Sequence, residues 1–414
     1  MMLFLRLLLL VAAAGLVTST GYLVLVMIAS ARFRRNKRSR TDAAVFPPVT
    51  LLKPVCGMEP GLEANLTSFF EQQYPSFEII FGARQSDDPA LDVVRRISRK
   101  YPSAAVKIVA TGEPLRPNAK VCSLVKMYAH AAHDYLIISD SDVRVEPNYI
   151  AEVVRPLLEP GNGLVTCLYH GVATGGLWSK LEALGMSVEM TSGAIVANLI
   201  EGMKFALGPT MAIRRDALDA VGGFELLADY CADDYVLGRE VHESGRQVVM
   251  SEHVIDHVVI NRSFACSMRH QIRWMKSTRF SRRAGHAGTV LIFAMPFGLL
   301  GLLAGGALGH WMLGIGLFAA AYLNRVLLAV VSGWGVVRDR QALRLAWLYP
   351  LRDLMGFAFW CASYSGSMIE WRSDWYRLEA GGRMVLTQPS AATLARSLAD
   401  TEAASPSEVA DRYS

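Results

Sequence analysis

The stretch DYLIISDSDVRV, residues 134–145, decides the fold. Tyr135 to Ile138 is a short apolar run that reads as a buried strand, and it ends in a turn carrying Asp140 and Asp142. Working upstream, VTLLKP (Val49 to Pro54), EIIFGA (Glu78 to Ala83) and AVKIV (Ala105 to Val109) have the same character. Between these strands, residues 61–73, 88–100 and 119–132 place apolar side chains three and four apart, the spacing of crossover helices. Short buried strands joined by helices predict an α/β unit with a mainly parallel sheet and ligand sites at its carboxyl edge. The acids fall at that edge: Asp87 and Asp88 follow the second strand, and Asp140 and Asp142 end the fourth.

Outside residues 45–285 the chain is a membrane protein by pattern. It has 414 residues, 52% hydrophobic and only 19% charged, with a net charge of +5. Such length favours more than one unit, and the low charge directs attention to membrane segments. Leu7 to Ser30 is uncharged, and 24 helical residues rise about 36 Å, enough to cross a hydrocarbon core of roughly 30 Å. The run is longer than the core of an ordinary signal peptide, and the basic residues lie mainly beyond it. Arg32, Arg34, Arg35, Lys37, Arg38 and Arg40 follow it against Arg6 alone before it, so the positive-inside rule puts residues 32–283 in the cytoplasm, at a cell inner membrane. Further spans are expected at 290–309 and 311–337, with a short transmembrane or interfacial segment at 345–369. Asn324 and Arg325 lie inside the second of these, where they are costly unless packed against protein or part of a site. Residues 386–414 read as a polar tail.

Several function classes are excluded. No G-x-G-x-x-G follows the first strand and no phosphate-binding G-x-x-x-x-G-K-[ST] loop occurs. The basic residues flank membrane segments without interleaved aromatics, so no nucleic acid is expected as a partner. Six cysteines at irregular spacing, with no C-x-x-C, indicate neither a disulfide framework nor a thiolate metal site.

Three clusters carry candidate chemistry. Asp140 and Asp142 present two hard oxygen ligands suited to Mg²⁺ or Mn²⁺, a reading that their place after a hydrophobic strand favours over the competing one of a solvent-facing Asx turn. Asp233 and Asp234 begin a helical pattern, where mutual repulsion and desolvation would raise one pKa toward that of a general base, or where both simply cap the helix. Arg269, Arg273 and Lys276 form a cationic stripe beside Trp274 if helical, either a diphosphate site or the basic belt ahead of a span. His253 and His257 lie in an extended context, where a structural role and a ligand role both remain open.

Taken together, TLLKPVCGMEPGLEANLTSFFEQQYPSFEIIFG, DDPALDVV, NAKV, SDSDVRV, ADDY and IRW, from Val49 to Trp274, resemble the ceramide glucosyltransferase-like membrane glycosyltransferases, including their bacterial and hopanoid-biosynthesis relatives. The resemblance implies a GT-A fold, a Rossmann-like nucleotide-diphospho-sugar transferase domain with N-terminal and C-terminal transmembrane helices. It implies inverting transfer of glucose or a related sugar from a UDP-sugar to a membrane-lipid hydroxyl, ceramide first. A UDP-N-acetylglucosamine-dependent hopanoid glycosyltransferase and a polysaccharide synthase are the alternatives, the latter disfavoured by the short membrane part. On this likeness Asp234 is the base, Arg273 and Trp274 complete the catalytic set, and Asp140 and Asp142 hold the metal. Asp88, Lys120, Asp140, Asp233 and His270 face the donor. His270 departs from the Gln or Arg expected there. Trp178, Leu184, Met186, Met190 and residues 194–205 are expected on the lipid-facing side, with plain core packing as the competing account.

Overall fold

A computed structural model describes residues 1–36, 46–259, 263–371 and 374–388. Lys37, Arg38, Arg40 and almost all of the polar tail lie outside the described residues.

The first half folds as its periodicity dictates. Strands β1 (Val49–Pro54), β2 (Phe77–Ala83), β3 (Ala105–Ala110) and β4 (Tyr135–Ser139) are joined by helices Leu62–Phe70, Pro89–Lys100 and Ala119–Tyr128. The Pro89–Lys100 helix shows why. Asp88 caps it by accepting from Ala90 N at 2.9 Å, Pro89 fits the first turn, and Ala90, Leu91, Val93, Val94 and Ile97 form the buried face.

The sheet departs from the mainly parallel expectation. β5 (Val143–Arg144), β6 (Asn162–Ala173), β7 (Thr210–Arg214) and β8 (Gln247–Val259) extend it to eight strands in the order β3-β2-β1-β4-β7-β6-β8-β5. β7 is antiparallel to both β4 and β6, and β5 is antiparallel to β8. These pairings join segments far apart in sequence, which local periodicity does not encode. Their consequence is functional, because β7 and β8 bring new residues beside the carboxyl end of β4.

The apolar segments are more broken than expected. Among the described residues, three helices are long and apolar enough to cross a membrane: Met2–Arg35, Leu177–Glu201 and Trp311–Trp334. The span expected at 290–309 is a pair, Arg283–Ile292 and Met295–Ala307, bent by 49°. A polar knot holds the bend. Arg325 Nη1 donates to Ile292 O at 2.9 Å and to Asp353 Oδ1 at 3.1 Å, while Asp353 Oδ2 accepts from Ala294 N and Met295 N at 3.0 and 2.9 Å. Both charged side chains are 2% exposed, and Asn324 bonds Thr20 of the N-terminal helix at 3.2 Å. Asn324 and Arg325 are therefore packed polar contacts.

Helix Leu177–Glu201, with a π-turn at Met186–Met190, corrects the lipid-facing expectation. Leu184, Met186, Ala194, Ile195, Val196 and Met203 lie in the main core, and Tyr22 OH bonds Ser192 Oγ from the N-terminal helix. Trp178 is half-buried against Phe264, while Met190 is exposed on this element. Within 345–369, helix Tyr349–Ser363 rises only about 22 Å. It leads to three antiparallel strands that the sequence reading missed: β9 (Met368–Trp371), β10 (Asp374–Leu378) and β11 (Met384–Gln388).

Removing one member of the buried pair leaves the other charge uncompensated, whereas removing both leaves a packing defect. Asp353→Leu should cost about 3 kcal/mol in folding stability, and Arg325→Met combined with Asp353→Leu should recover much of it, measured by thermal unfolding of the detergent-solubilised protein.

Candidate active site

The site forms where β4 stops. Asp140 lies in the turn after it, and Asp140 N donates to Pro209 O at 3.4 Å, drawing the entry to β7 alongside. Gly208, one residue earlier, meets the helix Asp233–Glu243. An ideal Cβ at Gly208 would sit 3.1 Å from Asp234 Oδ2, and the Gly208 amide donates to that carboxylate. Asp234 Oδ1 also accepts from Tyr235 N at 2.8 Å. Pairing of β4 with β7 thus brings the two acidic clusters together.

Lys120 joins them. Its ammonium is 2.7 Å from Asp140 Oδ1 and 3.6 Å from Asp233 Oδ2. Asn118 caps the Lys120 helix by accepting from Val121 N, and it donates to Tyr230 O at 2.9 Å and Asp233 Oδ1 at 3.3 Å. NAKV is therefore a device in which the cap and the cation two residues later grip the same acidic turn. Burial works against the charge of Lys120, but Asp140 and Asp233 outweigh it and hold the ammonium strongly protonated. Burial, then the charge of Asp142, raises Asp140 above the usual carboxylate range.

Asp234 behaves differently from its neighbours. Burial, reinforced by Asp233, pushes its pKa up to about 6, so a carboxylate there exchanges protons near neutral pH. Asp142 is held at 3.0 Å by His257 Nε2 across the β5–β8 pairing. Burial raises Asp142, but His257 together with Lys53 and Lys120 more than offsets it and the net shift is downward. His257 moves upward, because the pull of Asp142, with Asp140 and Glu182 behind it, exceeds the effect of burial.

Three residues support the site without a motif that announced them. Lys53 is fully buried in β1, with its ammonium 3.6 Å over the Phe69 ring and donating to Asp140 O at 2.5 Å. Burial lowers its pKa to about 7. Its signal was a lone charge inside a buried strand. Glu182 was visible only as an acid in an apolar run; its buried carboxylate accepts from Ser267 Oγ at 2.5 Å and pairs with His270 Nδ1 at 2.8 Å. Gly208 gave no signal.

The remaining candidates divide. Helix Phe264–Ser281, capped by Ser263, carries the basic stripe. His270 turns to Glu182 and lies 4.2 Å from the Trp274 ring, whereas Arg273 lies over Trp371 at 5.4 Å and beside Cys231, two residues before Asp233. Trp274 is half-buried on the main core. Asp88 remains at the sheet edge, but its Oδ1 is taken by Gly57 N and Ala90 N, so it shapes the loop after β1. His253 is buried beside Tyr149.

For a divalent cation, Asp140 and Asp142 supply hard oxygen donors. Asp142 Oδ1 is buried without a hydrogen-bond partner among the described residues, an atom suited to a cation. Those residues contain no cluster of three or more His, Cys, Asp or Glu side chains able to enclose one. The donor set fits an ion such as Mg²⁺, which takes one or two carboxylates and completes its shell with water and substrate phosphates.

A sequence profile for glycosyl transferase family 21 matches residues 8–384. The chain belongs to that family. Ceramide glucosyltransferase 1 of Caenorhabditis elegans is 28% identical over 222 residues, covering 53% of this chain and 47% of that protein. Ceramide glucosyltransferase 3 of the same organism is 24% identical over 257 residues, covering 62% and 56%. The chain thus spans about half the length of these relatives. Among solved structures, the mannosyltransferase PcManGT from Pyrobaculum calidifontis in complex with GDP-Man and Mn²⁺ aligns at 18% identity and a TM-score of 0.47, covering 84% of this chain and 98% of that one. The sheet of this chain is mixed, with crossover helices joining β1 to β4.

Gly208→Ala puts a methyl group against Asp234 without demanding a strained backbone. It should lower turnover about 10- to 100-fold while the melting temperature stays close to wild type, measured by initial rates at saturating donor beside thermal unfolding.

Proposed function

We propose that this family 21 protein transfers a sugar from a nucleotide-diphosphate donor to a hydroxyl of a membrane lipid, with UDP-glucose and ceramide as the first assignment. The observation that carries it is the convergence of Asp140, Asp142, Lys120, Asp233 and Asp234 at one sheet edge, in a chain whose described residues include three helices apolar enough to cross a membrane. The relatives named ceramide glucosyltransferase support the choice of donor and acceptor. Arg32, Arg34 and Arg35 at the C-terminal end of the first helix support a catalytic unit, residues 45–285, on the cytoplasmic face of the inner membrane. Residues on both sides of helix Tyr349–Ser363 bond the catalytic unit: Asp339 accepts from Ser187, and Met384 N donates to Asp229 O. A crossing would separate them, which supports an interfacial or re-entrant helix.

The mechanism is a single displacement. Asp234 accepts the proton of the lipid hydroxyl as its oxygen bonds to sugar C1, and the C1–oxygen bond to the diphosphate breaks on the opposite face, inverting the anomeric centre. Lys120 and Arg273 are the cations available to the departing diphosphate, and Asn118 fixes Lys120. Asp140 and Asp142 would hold Mg²⁺ or Mn²⁺, which when bound supplies further charge neutralisation for the leaving group. Lys53 keeps the turn carrying both acids in place from beneath. With an activated donor, positioning and leaving-group neutralisation supply most of the rate.

The test is to incubate membranes containing the protein with radiolabelled UDP-glucose and UDP-N-acetylglucosamine and ceramide or hopanoid acceptors. Glucosylated ceramide is expected; N-acetylglucosamine on a hopanoid would move the assignment to that acceptor, and retained polymer would end the lipid reading. Asp142→Asn should weaken Mn²⁺ binding, read by electron paramagnetic resonance, and lose most turnover.

The pH dependence separates the paired acids. A base must be unprotonated, so turnover should rise through about pH 6, the pKa of Asp234. Asp233→Asn removes a charge that raises that pKa, and its acidic limb should move to lower pH. Asp234→Asn should abolish the limb and lower kcat by about 10²- to 10⁴-fold with donor affinity little changed.

A further inference from the structure

The C-terminal strands lie outside the main core, yet they touch two parts of the catalytic machinery. Cys231, Ile369, Tyr376, Leu378 and Met384 make a small apolar cluster of their own. Onto its edge fits the turn Asp229–Cys231, which leads directly into Asp233 and Asp234. Met384 N donates to Asp229 O at 2.7 Å, Cys231 N donates to Gly382 O at 3.1 Å, and Tyr230 pairs with Arg383 in an antiparallel bridge. The turn is in effect a fourth strand. Its side chains are held as well: Asp229 takes a fork of two bonds from Arg116, at 2.7 and 2.6 Å, and Arg383 approaches it at 3.3 Å.

The second contact is with the Arg273 helix. Trp371 of β9 lies under the Arg273 guanidinium at 5.4 Å, and Lys276 Nζ donates to Met368 O at 2.9 Å. Gly382 adopts φ +85°, and a Cβ there would come within 2.4 Å of Ser281 Oγ, so glycine permits both the turn and the close approach. One small sheet is pinned at the same time to the base-bearing turn and to the helix carrying the diphosphate-side cation.

We propose that this sheet is a positioning element of the active site: residues 382–384 aim Asp234 through backbone bonds to Asp229–Cys231, and Trp371 orients Arg273. The proposal rests on the reading of Asp234 as base. Asn118 braces the turn from the donor side and the sheet braces it from the other, so a carboxylate held from one side only would wander relative to the acceptor hydroxyl. A misplacement of about 1 Å costs on the order of 10²-fold in rate. Because the sheet has its own cluster, its loss should fall on the turn and not on β1 to β4.

The experiment uses the full chain in lipid nanodiscs. Met384→Pro deletes the donating N–H while keeping an apolar side chain, and Met384→Leu keeps both. Expected for Met384→Pro are a 10- to 100-fold fall in kcat at saturating donor and acceptor, a donor Kd within twofold by calorimetry, and lost hydrogen-exchange protection at residues 229–231 with β4 still protected. Met384→Leu should match wild type in all three. Protection lost with kcat unchanged would overturn the proposal, as would kcat, donor affinity and β4 protection falling together. Should Met384→Pro fail to fold, Trp371→Leu against Trp371→Phe decides: a kcat defect in the first that the second repairs supports the proposal, and equal rates overturn it. Asp234→Asn run alongside separates the two readings. Near-wild-type turnover there removes the base assignment and the proposal with it; an inactive Asp234→Asn beside an unimpaired Met384→Pro removes only the role of the sheet.

Discussion

The ammonium of Lys120, 2.7 Å from Asp140 and 3.6 Å from Asp233, is the interaction on which the site depends. Asp140, Asp142, Asp233 and Asp234 crowd a single buried edge, where like charges at contact range repel by several kcal/mol at an effective dielectric constant of about 20. A fixed cation between the clusters offsets part of that repulsion, while burial and the neighbouring Asp233 leave Asp234 with a raised pKa. Asn118 makes the cation rigid by capping its helix and bonding the acidic turn at once. Lys53 and His257 complete the balance, one beneath the Asp140 carbonyl and the other on Asp142.

A second polar knot does comparable work in the apolar part. Arg325 and Asp353 satisfy each other and the backbone groups freed where the 283–307 segment bends. The bend keeps the N-terminal helix, helix Trp311–Leu328 and helix Tyr349–Ser363 packed together. Arg352, on the last of these, bonds Glu189 and Gln271, and thereby links the apolar helices to the helix of His270 and Arg273. Catalytic and apolar parts thus share one framework, which suits the proposed lipid acceptor, whose hydroxyl would stay at the level of the headgroups.

The short strands β1 to β4, their crossover helices and the end of each were legible because local periodicity and caps specify them. Asp140, Asp142, Asp233, Asp234 and Lys120 were visible as chemistry-bearing residues for the same reason: each stands at the end of a readable strand or the start of a readable helix. Glu182, Gly208 and Trp371 were not, since an acid in an apolar helix, a glycine in a loop and an aromatic near a strand end have no local signature of a site. His257 stood between the two, an extended histidine whose partner Asp142 lies 115 positions away.

The sequence by itself determined the α/β class, the apolar helices and which residue types stand at the carboxyl edge, because these follow from patterns within about ten neighbouring positions. Tertiary structure alone decided that β7 runs antiparallel beside β4, that Lys120 reaches both acid clusters, that Arg325 closes on Asp353, and that residues 368–388 fold back onto the turn before Asp234. Each of those is a pairing across tens to more than a hundred residues. Its energy depends on which surfaces meet once the core has formed, and no local stretch of sequence contains that information.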